Sequence, residues 1–118
     1  MLVYVSGPYS AGTDEGITEN IERARGVAIA LWDKGHYALT PHLNTAHFER
    51  DCKADYRQYM AGDLAMLSVC DAMVMVPGWE TSAGAREEWG LAKNIGLPVY
   101  VYPDLPPLHP TDQAGHGV

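Results

Sequence analysis

Residues 71–96 read DAMVMVPGWETSAGAREEWGLAKNIG, and this stretch decides the fold. The apolar run 72–76 ends at the turn-forming pair Pro77 and Gly78, so it reads as a buried strand. A helix follows. Ser82 is a natural N-cap for it, and Ala85, Glu88, Trp89, Ala92 and Ile95 recur at helical spacing on one side. Glu88 therefore shares the apolar face, while Glu87 points to water. A carboxylate on that face is costly to bury without a partner or a task, which makes Glu88 a candidate functional residue.

Toward the amino terminus, residues 1–6 form an apolar, β-prone run that stops at Gly7 and Pro8. A Gly/Ser/Thr-rich loop leads to a helix expected from Ile17, with Ile21, Ala24, Ala28 and Leu31 on its apolar side and Lys34 and Gly35 as its stop. Residues 37–40 predict a second strand ending at Pro41, followed by an irregular polar segment to about Cys52. A further helix is expected from Asp55, with Tyr56, Tyr59, Met60, Leu64 and Leu67 facing inward and Asp63 inside that stripe. Residues 97–102 supply a fourth strand after Gly96.

The order β-α-β-α-β-α-β predicts a single doubly wound, flavodoxin-like α/β domain. Its parallel sheet should have four to five strands with helices on both faces, because parallel strands need crossover connections. Ligands of such sheets sit beyond the carboxyl ends of the strands where strand order reverses. The loop 6–16, the segment 41–52 and the turn 77–82 should meet there. The domain is expected to span 1–102. The tail 103–118 holds four of the eight prolines and two glycines and is expected to be extended or disordered.

At 118 residues and 47% hydrophobic composition, the chain is long enough for one core and too short for two ordinary ones. Its net charge of −7, from 15 acids against 8 bases, argues against polymeric nucleic acid as a partner. No apolar run approaches the roughly 20 residues that span a bilayer, so a soluble cytoplasmic protein is expected. Cys52 and Cys70 have no close second Cys and read as ordinary reduced thiols.

Asp63 and Glu88 are inward acids on helices flanking one strand, a pair able to divide nucleophile and general-acid duties in cleaving a glycosidic bond. The same acids would also suit a helix cap or an ion pair with Arg57 or Arg86. Ser82 at a helix start fits a phosphate or sugar hydroxyl, or a plain cap. The loop SGPYSAG at 6–12 lets backbone approach a ligand but is neither a dinucleotide fingerprint nor a Walker sequence, so no cofactor is implied. His42, His47 and Cys52 lack the paired spacing of a zinc site, and no metal is expected. Trp79 is either core or a stacking ring at the crevice, and Tyr4 is a hydroxyl inside a strand that needs a partner.

The motifs VYVSGP, LTPH, DLAMLSVCDAMVMV and SAGAREEWGLA resemble the nucleoside 2-deoxyribosyltransferase superfamily, including its 2′-deoxynucleoside 5′-monophosphate N-glycosidases, across about residues 1–102. The chain looks nearest to small members with PGWE before a small-residue turn. The resemblance implies Glu88 as the nucleophile of a covalent glycosyl intermediate, Asp63 as its catalytic partner and Tyr4 as the residue that orients it. It implies Ser82 as a phosphate contact and His42 as a site residue; Gly7, Pro8, Trp79 and Gly84 are further candidate substrate-binding positions. It also implies a nucleoside or nucleotide substrate and a homodimer or higher homo-oligomer.

One departure stands out: loop 7–16 has no base where the monophosphate hydrolases carry Arg, leaving Arg50, Lys53 or Arg57 to supply the charge. An N-glycosidase is the leading expectation. A deoxyribosyltransferase, an NAD glycohydrolase and a non-catalytic nucleotide-binding module are the alternatives. A phosphorylatable receiver domain would need acids where Ser6, Gly7, Pro77 and Gly78 stand.

Overall fold

The computed structural model describes residues 1–108. The elements run β1 (Leu2–Ser6), α1 (Asp14–Lys34), β2 (Tyr37–Leu39), α2 (Pro41–Asn44), α3 (Tyr56–Leu67), β3 (Ala72–Met75), α4 (Ala83–Asn94) and β4 (Val99–Val101). Two short 3-10 turns, Phe48–Arg50 and Trp79–Thr81, lie in the connections. All strand pairs are parallel and the order is β2-β1-β3-β4, which is the flavodoxin-like α/β arrangement with four strands among the described residues. Strand order reverses between β1 and β3, so a crevice opens beyond Ser6 and Met75.

Period-two alternation divides the sheet between two cores. Val3, Val5, Ala72, Val74 and Val76 face α1, where Ala24, Val27 and Leu31 cover them. Tyr4, Met73 and Met75 face the other way, against Leu67, Ala85 and Ala92 of α3 and α4. Tyr4 and Glu88 are thus delivered to the same side of the sheet.

Helix α1 begins one turn earlier than the periodicity suggests. Thr13 accepts a hydrogen bond from the Gly16 N–H at 3.0 Å, and Asp14 and Glu15 suit the positive end of the helix dipole. Its stop is as expected, with Gly35 at φ 104° in the left-handed region. Strand β2 ends one residue early because Thr40 precedes a short helix, α2, with Pro41 at its first position. The segment expected to be irregular therefore contains a helical turn and a 3-10 turn.

On α3, Asp55 caps the Gln58 N–H at 2.9 Å, but only Leu67 of the anticipated apolar face is fully buried, and Tyr56 is 53% exposed. The amino-terminal half of this helix borders the crevice rather than the core. On α4, Trp89 and Ile95 leave the buried stripe and are exposed, Trp89 by stacking on Trp79 and Ile95 by lying past the last helical residue.

Residues 103–108 follow the sheet rather than leaving it. Leu105 packs on the α1 side of the core, and the buried His36 donates from Nε2 to the Pro106 carbonyl at 2.8 Å. The remainder of the expected tail, 109–118, lies outside the described residues. No helix among the described residues is long and apolar enough to cross a membrane.

Candidate active site

Beyond the ends of β1 and β3 lies a cleft of about 620 Å³. Its floor is Tyr4 and Gly7. One wall is α3 with Tyr59 and Asp63, and the opposite one is the start of α4 with Ser82, Gly84 and Glu88. Pro8, Tyr9, His42 and Glu49 close the remaining side.

Glu88 is only 6% exposed, yet both carboxylate oxygens are engaged. The Tyr4 hydroxyl donates to Oε2 at 2.7 Å and the Ser6 hydroxyl donates to Oε1 at 2.6 Å. Tyr4 and Ser6 are two apart on β1, so strand alternation sends both side chains to the same face. Two short, charge-assisted bonds from rigid donors hold the carboxylate in one orientation.

Burial pushes the Glu88 carboxyl up to about 7. The Ser6 and Tyr4 hydrogen bonds work against that rise, and the charge of Asp63 adds to it. Burial also pushes Asp63 up to about 6, with its interaction with Glu88 pulling the other way. The two carboxyls perturb one another, so their proton losses belong to the pair. Burial, then the Glu88 charge, raises the Tyr4 phenol far above its ordinary value, so Tyr4 stays protonated and remains a donor.

Ser82 caps α4, its hydroxyl accepting from the Ala85 N–H at 3.2 Å at the edge of the cleft. Gly84 lies beside it, where an added Cβ would meet Met60 Sδ at 3.4 Å. Gly7 marks a close crossing of β1 and β3, since a Cβ there would lie 2.6 Å from the Val76 Cβ. His42 is buried, donates from Nε2 to the Pro8 carbonyl at 2.8 Å and sits edge-on to Tyr9. Its burial holds the imidazole below the usual histidine range, with backbone acceptors opposing the shift.

Eight of the nine residues proposed from sequence therefore line one cleft: Tyr4, Gly7, Pro8, His42, Asp63, Ser82, Gly84 and Glu88. Trp79 does not; it stacks on Trp89 with ring centroids 5.7 Å apart, outside the lining. Sequence reasoning overlooked Ser6, although its spacing of two from Tyr4 carried the signal. Tyr9, Glu49 and Tyr59 were also missed as site residues, and nothing local marks the pairing of Tyr9 with Glu49 across 40 positions.

Among the described residues the lining contains three acids, Glu49, Asp63 and Glu88, and no Lys or Arg. Arg50 instead pairs with Asp14 at 3.4 Å. Among the described residues no group of three His, Cys, Asp or Glu side chains is placed to hold a metal ion.

Comparison with known proteins agrees with this architecture. A 2-deoxyribosyltransferase from the psychrotolerant bacterium Bacillus psychrosaccharolyticus has a similar structure, with a TM-score of 0.65 and 18% identity over 86% of this chain and 71% of that one. A 2-deoxyribosyltransferase from Leishmania mexicana gives a TM-score of 0.58 and 19% identity over 86% of this chain and 63% of its own. No curated protein sequence matches the chain. A family model described as a domain of unknown function (DUF4406) matches residues 1–101. The chain belongs to the DUF4406 family, and its fold is that of the 2-deoxyribosyltransferases.

Proposed function

We propose that this protein is an N-glycosyl transferase acting on 2′-deoxynucleosides, with Glu88 as nucleophile. The observation that carries the reading is the buried Glu88 carboxylate, gripped by Tyr4 and Ser6 and facing a cleft shared with Asp63. Glu88 attacks C1′ of the sugar as the bond to the base breaks, and Asp63 delivers a proton to the departing base. The product is a glycosyl ester on Glu88. A second base attacks C1′ and regenerates the carboxylate, its displaced proton returning to Asp63; water taking that place gives hydrolysis. Transfer, one of the alternatives the sequence offers, is preferred here over the hydrolysis that leads there, and two solved structures similar to this chain, named as 2-deoxyribosyltransferases, support that preference.

The charge of the cleft supports an unphosphorylated substrate. A 5′-phosphate would enter among three acids without a cation to meet it, because none of Arg50, Lys53 and Arg57 lines the cleft. Ser82 and the first turn of α4 would then receive a sugar hydroxyl. We take the working unit to be a homodimer or larger homo-oligomer in the cytoplasm. The half-open α3 wall, with Tyr56 exposed, supports a neighbouring subunit there, and light scattering tests it.

The deciding experiment incubates the protein with deoxynucleosides and their monophosphates, with and without an acceptor base, and follows free base and new nucleoside by chromatography. Base exchange from unphosphorylated substrates, lost in Glu88→Ala, is the expected result. No release from any substrate, with Glu88→Ala indistinguishable from wild type, sinks the reading.

A further inference from the structure

Resting on the transferase reading of the same cleft, we propose that Glu49 and Tyr59 form its base-reading subsite and that the base they select is guanine. Both residues line the cleft. Glu49 comes from the 3-10 turn Phe48–Arg50 and is exposed at the mouth, yet its carboxylate is held in place. The Tyr9 hydroxyl donates to Glu49 Oε2 at 2.8 Å and itself accepts from the His47 N–H at 2.8 Å. Oε1 stands 3.7 Å from His47 Nδ1, beyond hydrogen-bond distance. Each carboxylate oxygen accepts more than one bond, so both retain capacity for a ligand.

Tyr59 is the second half of the subsite. Its hydroxyl oxygen is buried and makes no well-formed hydrogen bond among the described residues; the Cys52 thiol beside it is a weak partner, so the hydroxyl keeps its capacity to donate to a ligand. Tyr59 is four residues before Asp63 on α3, on the same helical face and about 6 Å further along the axis. That displacement is close to the width of a purine. A base protonated by Asp63 near its sugar bond therefore reaches toward Tyr59 and the mouth. Tyr56 and Met60, also in the lining, offer it an apolar bed.

The chemistry of the two groups selects among bases. A carboxylate only accepts hydrogen bonds when ionised, and its two oxygens match two adjacent N–H donors. Guanine presents N1–H and the 2-amino group side by side, with O6 next to them to accept from Tyr59. Adenine and cytosine would turn a ring-nitrogen lone pair toward Glu49, and thymine flanks its single N–H with two carbonyls. Hypoxanthine keeps N1–H and O6 but lacks the second donor, so it ranks between guanine and the rest.

The test is calorimetric titration of the Glu88→Gln protein with deoxyguanosine, deoxyinosine, deoxyadenosine and thymidine, alongside base release by the wild-type protein from the same four. Deoxyguanosine should bind at least about tenfold tighter than deoxyadenosine or thymidine, with deoxyinosine between them. Glu49→Gln, which turns an amide N–H toward guanine N1–H, should erase that order, and Tyr59→Phe should weaken deoxyguanosine about tenfold. Equal binding of the four nucleosides, or a guanine preference that survives Glu49→Gln, overturns the subsite. Should Glu88→Gln not fold, the wild-type release order decides the same question. Selective binding without any base release overturns the transferase reading alone, release without guanine preference overturns the subsite alone, and no binding together with no release overturns both.

Discussion

The Tyr4 hydroxyl donates to the Glu88 carboxylate at 2.7 Å across 84 positions of sequence, joining the first strand of the sheet to the helix that carries Glu88, the proposed nucleophile. Neither residue is accessible enough to reorient freely, since Tyr4 is fully buried and Glu88 nearly so. The bond links the packing of the core to the geometry of the reaction.

Tyr4→Phe should leave the protein folded, because the ring still fills its place in the core. It removes one of two donors to the charged form of Glu88, so kcat/KM should fall by roughly 10- to 100-fold, about 1.4–2.7 kcal/mol. Losing a bond to the carboxylate should also move the acid limb of the rate profile upward. Steady-state kinetics across pH measures both effects, and Ser6→Ala should behave alike.

The rate should be bell-shaped in pH, with its maximum between about 6 and about 7, the values to which burial raises Asp63 and Glu88. One shared proton serves both roles: below the maximum a second proton disables the nucleophile, and above it the last proton leaves and the base departs unassisted. A rate still climbing steadily above pH 9 would contradict the assignment.

Folding stability should show the reverse preference to that of ordinary surface acids. The Glu88 carboxyl has a raised value in the folded state, so the folded protein holds the proton more tightly than the unfolded chain. The contribution is fully present below the unfolded value and is lost as pH rises through about 7. Asp63 adds in the same direction. Glu88→Gln should therefore stabilise the fold at pH 8 by on the order of 2 kcal/mol, raising the melting temperature there, and change it little at pH 4. Thermal melts at the two pH values check the sign.

Gly7→Ala should destabilise by about 1–3 kcal/mol, because the new methyl would lie 2.6 Å from the Val76 Cβ. Adding Val76→Ala should recover part of that loss. Denaturant midpoints of the two single variants and the double variant close the cycle, and strict additivity would show that the two residues do not compete for the same space.

Much of the fold was legible because its signals are local. Gly35 and Ser82 mark helix ends whatever the rest of the chain does, and the apolar runs at 1–6 and 72–76 can be satisfied only as buried strands. The departures occur where packing outweighs period. Tyr56 and Trp89 obey helical spacing but lie where the helix borders the cleft or meets another ring. Thr40 and Pro41 read as the end of a strand, although they also spell the start of a helix.

By itself, the sequence determined the parallel α/β layering and put Glu88 and Asp63 on inward helix faces, because strand and helix periods are properties of neighbouring residues. Only the tertiary structure decided that Ser6 joins Tyr4 in holding Glu88. It alone decided that Tyr9 and Glu49 meet and that, among the described residues, no Lys or Arg lines the cleft. These relations depend on which loops the strand order brings together and where long side chains then find partners. Arg50 shows the reason most simply: its charge is written in the chain, but its pairing with Asp14 rather than a place in the cleft lining is a matter of position in space.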